Sequence, residues 1–314
     1  MDFLVTGGSG FIGSHIAQAL VERGHSVRVL DNLSTGRLSN LDDLAGKADW
    51  RQGDVRDRQA VAQAVSGVRC VLHVAALPSV ARSVQDPLGS NETNVTGTLN
   101  VLLAARDAGV ERFVFSSSSS VYGDTPVLPK QEDMPPRPLS PYAAQKLMGE
   151  QYVRLFHSLY GMKTFALRYF NVYGPRQNPD SPYAAAIPRF IRCLKEGRPP
   201  VVYGDGKQTR DFTFVRDVVA ANLACVTAGS DAAGQAMNIA GGHRVSILEL
   251  IAALQRIMGT RISLSMEAAR TGDVRDSLGD VTRAARLIGW RPETTLDKGL
   301  AETVRSFVSV SGAA

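Results

Sequence analysis

Thr6-Gly7-Gly8-Ser9-Gly10-Phe11-Ile12-Gly13 is the stretch whose reading decides the fold. An apolar strand, Phe3 to Thr6, runs into it, and a helical pattern from Ile12 to Arg23 runs out. Gly8, Gly10 and Gly13 satisfy G-x-G-x-x-G, and Gly7, Gly10 and Gly13 give the looser G-x-x-G-x-x-G. Glycines at these places permit a tight turn and close approach of the backbone to a pyrophosphate. They also aim that anion at a helix N-terminus, where free N–H groups and the helix dipole favour it. A glycine-rich structural turn has the same composition, so the context matters. A second strand, Ser26 to Leu30, ends in Asp31, 18 residues past Gly13. That spacing suits a carboxylate gripping the ribose hydroxyls of an adenosine. The same charge repels a 2′-phosphate, which favours NAD over NADP.

Working outward, strand and helix keep alternating. Strand Trp50 to Gln52 leads to Asp54-Val55 and a helix over Gln59 to Val65. Strand Cys70 to Val74 leads to Ala75-Ala76-Leu77 and a helix from about Pro87 to Ala108, and strand Arg112 to Ser116 runs into five serines. Repeated βα units predict an α/β fold with a doubly wound parallel sheet, whose ligands bind beyond the carboxyl ends of the strands. Asp54, the Ala75–Leu77 turn and Ser116 to Ser118 all fall at such ends. After Asn171 the elements shorten and Pro and Gly increase. The expected division is a dinucleotide-binding domain over 1–170, rejoined by the chain around 209–240, and a smaller substrate domain over 171–314.

Composition bounds the rest. A chain of 314 residues and 33.7 kDa, 44% hydrophobic and 21% charged, builds an ordinary globular core. The net charge of +5 is spread along the sequence, which predicts no nucleic-acid partner and suits a small anionic substrate. Cys70, Cys193 and Cys225 are far apart and odd in number, the pattern of reduced, buried thiols in the cytoplasm. The start of the chain shows no signal peptide, no segment has the apolar length to span a membrane, and no cluster suggests a metal. His73 reads as a strand residue near the sheet's carboxyl edge.

The chemistry is most legible in Ser140-Pro141-Tyr142-Ala143-Ala144-Gln145-Lys146. Tyr142 and Lys146, four residues apart, share one helix face. A cation beside a phenol lowers its pKa toward working pH and makes a base for a sugar hydroxyl. A surface helix with a half-buried tyrosine has the same spacing, so its company decides. Ser118 lies just past the fifth strand, and Pro141 starts the helix. Serine, tyrosine and lysine beside a nicotinamide form a machine for hydride transfer at a carbinol carbon.

These pieces together resemble an extended short-chain dehydrogenase/reductase of the nucleotide-sugar epimerase/dehydratase branch, closest to the UDP-hexose 4-epimerases. The match includes the glycine turn, Asp31-Asn32, Gly53-Asp54-Val55, Asn94 to Thr98, Ser116 to Gly123 and Tyr142 to Lys146. It continues through Arg168 to Gly174, Thr209 to Phe212 and Gly272-Asp273-Val274. The resemblance implies Tyr142 as base, Ser118 as its hydroxyl partner, and Lys146 on the nicotinamide ribose and the phenolate. It places NAD against Gly7, Gly10, Phe11, Ile12, Gly13, Asp31, Asn32, Ser34, Thr35, Gly36, Asp54, Val55, Ala75, Ala76, Leu77, Asn94, Ser116, Tyr169 and Val172. The nucleotide sugar would meet Asn171, Ala184 to Ile187 (Ala185 and Ala186 among them), Tyr203, Arg210, Arg270, Asp273 and Ser277, besides Ser118 and Tyr142. Arginines suit a diphosphate through forked, charge-assisted bonds, although surface arginines are also common.

Three further expectations follow from the resemblance. The related 4,6-dehydratases carry Asp-Glu after the serine, and the UDP-glucuronate decarboxylases a glutamate two positions on. Here Ser119 and Ser120 stand there, which leaves epimerisation at C4. At the position of Ser277, enzymes confined to glucose and galactose tend to have tyrosine, so a serine implies room for a C2 acetamido group. Finally, Leu99, Leu102, Leu103, Leu147, Tyr152, Leu155, Phe156 and Leu159 make two helices apolar over a wide arc, which suits a homodimer through a four-helix bundle. An enzyme acting on a UDP-uronate and a non-catalytic NAD(H) sensor are the competing readings.

Overall fold

The structure, a computed structural model, describes residues 1–178, 185–268 and 274–309. Its centre is a seven-stranded sheet built from β1 (Phe3–Thr6), β2 (Val27–Asp31), β3 (Ala48–Gln52), β4 (Cys70–His73), β5 (Arg112–Ser118), β6 (Lys163–Tyr169) and a last strand, Gln235–Ile239. Across the sheet the order is Gln235–Ile239, β6, β5, β4, β1, β2, β3, and every pairing is parallel. Strands of an all-parallel sheet are covered on both faces, which is why Phe3 to Thr6 and Cys70 to His73 are buried throughout. The strand order reverses between β1 and β4, the crevice where doubly wound sheets take their ligands.

One apolar layer joins Ile16 and Leu20 of α1 (Phe11–Glu22) to Val218 and Cys225 of α8 (Val215–Thr227) over one face of the sheet. The other layer joins Val61 of α2 (Arg58–Val65), Val101 of α5 (Gly97–Asp107) and Val153 of α6 (Pro141–Tyr160) to Val71 and Phe113. A third cluster, with Phe190 and Ile191 of α7 (Ala186–Lys195), Phe214, Leu250, Leu254 and Leu300, gives the shorter C-terminal elements a core of their own. All three cysteines are free and buried. Among the described residues no helix is long and apolar enough to cross a membrane, and no group of three or more His, Cys, Asp and Glu is placed to hold a metal.

Two sequence expectations need correction. The helix expected unbroken from Pro87 to Ala108 passes through a π-helical turn, Glu92–Thr96, between α4 (Pro87–Asn91) and α5. That turn carries Asn94, whose Oδ1 accepts from the Leu77 backbone N–H at 2.7 Å and whose Nδ2 donates to Gln145 Oε1 at 2.8 Å. Apolar periodicity cannot register one extra residue in a turn. Ser118, expected beyond the fifth strand, is instead the last residue of β5, held in register opposite Tyr169.

Helix α6 sets the position of the site. Its start is fixed by the Ser140 hydroxyl, which accepts from Ala143 N, and by Pro141 in the first turn; left-handed Gly161 ends it. The helix lies so close to β5 that a Cβ on Gly149 would stand 2.3 Å from the Phe115 ring. A ring held in the core has little room to yield. Gly149→Ala is therefore expected to cost about 1–3 kcal/mol through overpacking, despite alanine's better helix propensity. The check is the midpoint of denaturant unfolding, which should fall with unchanged slope.

Candidate active site

At the end of β1 the Thr6 hydroxyl bonds His73 Nδ1 at 2.7 Å and accepts from Ala75 N at 3.3 Å, tying the β1 and β4 turns together. Gly7 has φ +69°, and a Cβ there would lie 2.7 Å from Ala75 N. A Cβ on Gly13 would come within 2.2 Å of the Gly7 carbonyl oxygen. The turn thus closes only on glycine. Gly10 caps α1 with no side-chain hydrogen bond, leaving the first helical amides for an external anion.

Asp31, 7% exposed, ends β2; Oδ2 accepts from Ser9 N at 2.9 Å and Oδ1 from Leu33 N at 2.8 Å. Burial pushes its pKa up against these bonds, and the remaining lone pairs are free for hydroxyl donors. Asn32 Nδ2 donates to Asp54 Oδ2 at 2.8 Å, while Arg56 chelates the same carboxylate and, as the larger influence, holds its pKa at about 2.

These turns open into a cavity of about 1030 Å³. Its lining includes Gly7, Gly10, Phe11, Ile12, Gly13, Asp31, Asn32, Ser34, Thr35, Gly36, Val55, Ala75 and Ala76, the residues expected to meet a dinucleotide. Ser116, Ser118, Tyr142, Lys146, Tyr169, Asn171, Val172, Arg210 and Ser277 line the same cavity. Asp54, Leu77 and Asn94 stand behind the lining: Asp54 orients Asn32, and Asn94 pins the Leu77 backbone through both its N–H and its C=O. A smaller hollow of about 280 Å³ shares Asn171, Ala185 and Arg210 with the large one and adds Ala186 and Tyr203. Arg189, on its wall with its guanidinium 5.7 Å from the Tyr203 ring centre, carries no sequence motif and was not anticipated. Arg270 and Asp273, and Ala184 before Ala185, lie outside the described residues.

The serine, lysine and tyrosines that the sequence nominates here come from three elements. Tyr142 and Lys146 are on α6, Ser118 ends β5, and Tyr169 ends β6. Lys146, 4% exposed, donates to the Ser116 carbonyl at 2.8 Å and lies 6.0 Å from the Tyr142 ring centre. The expected lowering of the tyrosine pKa is not what the chain alone produces. Desolvation pushes Tyr142 up to about 12, opposed only by a hydrogen bond with Ser118. Desolvation likewise pulls Lys146 down to about 8, with the Glu150 charge acting the other way. The lysine is turned to a carbonyl rather than to the phenol, so its charge does not offset burial.

Behind the serines lies a network that the sequence reading did not single out. Glu150, one turn past Lys146, takes a forked pair of bonds from Arg168 on β6, at 2.7 and 2.9 Å, and a 2.5 Å bond from the Ser117 hydroxyl. Arg168 also reaches the Tyr122 hydroxyl at 2.9 Å, which donates to Asn238 Oδ1 at 2.6 Å. The Tyr169 hydroxyl meets Ser116 Oγ at 3.1 Å and accepts from Asn222 Nδ2 at 2.8 Å.

A glycine turn at a sheet crevice, an acidic residue at the end of β2 and a Ser/Tyr/Lys set define an NAD-binding short-chain dehydrogenase/reductase of the extended type. Residues 3–240 match the NAD dependent epimerase/dehydratase family. A UDP-glucose 4-epimerase of Mycolicibacterium smegmatis is 41% identical over 312 residues, covering 98% of each chain. Among solved structures, a UDP-N-acetylglucosamine 4-epimerase from Methanobrevibacter ruminantium in complex with UDP-N-acetylmuramic acid superposes with a TM-score of 0.94 at 38% identity, over 98% of each chain. A UDP-glucuronic acid 4-epimerase from Bacillus cereus, in complex with UDP-glucuronic acid and NAD, gives 0.92 at 31% identity, over 99% of this chain and 100% of that one. The chain belongs to the NAD-dependent epimerase/dehydratase family and is an epimerase, an isomerase that uses NAD. The glycine cradle, the open amides at the start of α1 and the unused acceptor capacity of Asp31 fit that cofactor.

Replacing Tyr142 with phenylalanine keeps the packing and removes the phenol that the sequence nominates as the base. Tyr142→Phe should retain NAD through purification and lose roughly 10²–10⁴-fold in turnover, the usual worth of a positioned general base. Turnover within a few-fold of the parent, measured with NAD content, would place the base elsewhere.

Proposed function

We propose that the chain is a UDP-hexose 4-epimerase that interconverts UDP-N-acetylglucosamine with UDP-N-acetylgalactosamine, and accepts UDP-glucose and UDP-galactose. That it works on C4 of a UDP-sugar is supported by all three relatives above; the breadth rests on Ser277. This residue is 5% exposed and lines the large cavity together with Ser118 and Tyr142. A serine in that wall leaves the volume of an aromatic ring for an acetamido group, whose polar atoms then need not be buried unpaired.

When bound, NAD would supply the acceptor and donor of the C4 hydride. Tyr142 takes the O4 proton, and Ser118, on the same lining, steadies the same oxygen. Lys146, on the cavity lining, would hold the nicotinamide ribose. Arg210, and Arg189 with Tyr203 in the smaller hollow, receive the diphosphate and the base. Ser119 and Ser120 offer neither a carboxylic acid nor a carboxylate, so the 4-keto sugar has no group to take it into elimination or decarboxylation. Inversion at C4 is the outcome left to it.

We place the enzyme in the cytoplasm, where its three thiols stay reduced, as a homodimer. On α6, Met148, Leu155, Leu159 and Tyr160 are exposed at 46%, 46%, 67% and 51%, whereas Phe156 faces the core along with Leu102 of α5. An apolar strip of this kind on an otherwise packed helix supports a second copy as its cover. Light scattering at micromolar concentration should give twice the chain mass, and a monomer would remove the proposal.

Substrate breadth is tested by rates on the four UDP-hexoses and on UDP-glucuronate. Ser277→Tyr should lower kcat/KM for the acetamido pair relative to the plain hexoses by tenfold or more, by steric exclusion. An unchanged ratio would mean that this side chain does not set the pocket's size.

A further inference from the structure

Lys130 has no part in the chemistry so far, yet it lines the large cavity and is 2% exposed. Its ammonium donates one hydrogen bond, to the Gly123 carbonyl at 3.0 Å, and its nitrogen stands 5.9 Å from the Tyr122 ring centre. Among the described residues no carboxylate forms an ion pair with it, although the charge of Asp124 acts on it from farther off. An ammonium has three N–H donors, and a buried one with two unused costs stability until something meets them. A carbonyl or anionic oxygen of a ligand is the chemistry that does so.

The backbone fixes where that oxygen must be. Lys130 N donates to the Leu278 carbonyl at 2.7 Å, and its own carbonyl accepts from Asp280 N at 3.0 Å. The lysine is thereby laced to the segment that begins at Ser277. On the same lining, the Ser120 hydroxyl is buried and has no hydrogen-bond partner among the described residues. Two polar side chains with unspent hydrogen-bonding capacity therefore share the lining with Ser277, and one of them is tied through its backbone to the residues just after it. A hexose hydroxyl there could be served by a serine alone; an amide carbonyl is the stronger acceptor and suits a charged donor.

We propose that Lys130 is a specificity residue for this reaction, donating to the carbonyl oxygen of the C2 acetamido group. The proposal rests on the acetamido reading and goes beyond it by naming the donor. Charge-assisted bonds of this kind are worth about tenfold or more in affinity.

The test compares the parent and Lys130→Met by steady-state kinetics on UDP-N-acetylglucosamine, UDP-glucose and UDP-glucuronate, with UDP inhibition, NAD content and melting temperature measured on both. The expected result is a fall of tenfold or more in the kcat/KM ratio of the acetamido sugar to UDP-glucose, carried mainly by KM, with the inhibition constant of UDP unchanged. Equal loss on all sugars, a selective loss on UDP-glucuronate, weakened UDP binding, or an unchanged ratio would each overturn it. If the variant does not fold, the parent enzyme answers from the substrate side. UDP-glucosamine, with a charged amine at C2, should be used at least tenfold less well than UDP-glucose, and equal use would overturn the assignment. A parent enzyme inactive on acetamido sugars would bring down both this inference and the proposed breadth; activity in the parent with an unchanged ratio in the variant would bring down the inference alone.

Discussion

The Glu150–Arg168 ion pair holds the catalytic geometry in place. Both side chains are almost wholly buried, at 6% and 5%, so neither charge can be left without the other. Breaking such a pair by removing one partner costs about 3–5 kcal/mol, although a well-packed apolar pair in its place can be neutral. The distinction explains its placement. An apolar contact would let α6 slide on the sheet, whereas forked bonds to Arg168, with a third from Ser117, fix the rotation of α6 against β5 and β6 at once. Lys146 sits one turn before Glu150, and Tyr142 one turn before that. The pair therefore sets where the phenol and the ammonium enter the cavity.

Electrostatics at the cavity work against the chain on its own. Desolvation drives Tyr142 up to about 12 and Lys146 down to about 8, so the protein at neutral pH presents a phenol rather than a phenolate. Base chemistry then has to be conditional on a positive charge brought into the cavity. Such conditionality suits an enzyme whose sugar must not be deprotonated unless a hydride acceptor stands beside it.

Much of this was legible in the sequence because the residues involved answer to strict local physics. Only glycine fits where Gly7 and Gly13 face neighbouring backbone, and Ser140-Pro141 with Gly161 delimits α6 by capping alone. What escaped was non-local. Arg168 and Glu150 are 18 residues apart in different elements, and nothing in either sequence neighbourhood announces the partner. The π-turn at Asn94 hid inside a continuous apolar pattern. The mutual effect of Tyr142 and Lys146 was misjudged because spacing shows which face two side chains share, but not how much water each has lost. Lys130 lay in a proline-rich loop whose pairing with residues 278–280 is a long-range contact.

The last strand, Gln235–Ile239, has a consequence for biosynthesis. It pairs with β6 at the edge of the sheet, and β6 is complete at Tyr169. At translation speeds of some 5–20 residues per second, the ribosome needs on the order of several seconds to deliver the strand that covers that edge. For that interval a nascent chain with five other sheet strands in place to its side shows a free row of N–H and C=O groups, the template on which edge-to-edge aggregation starts. Arg168 lies on that strand, and it finds Asn238 through Tyr122 only when the last strand arrives. A newborn chain is thus most vulnerable late in its synthesis, and holding chaperones would be needed there rather than at the glycine turn, which is made first.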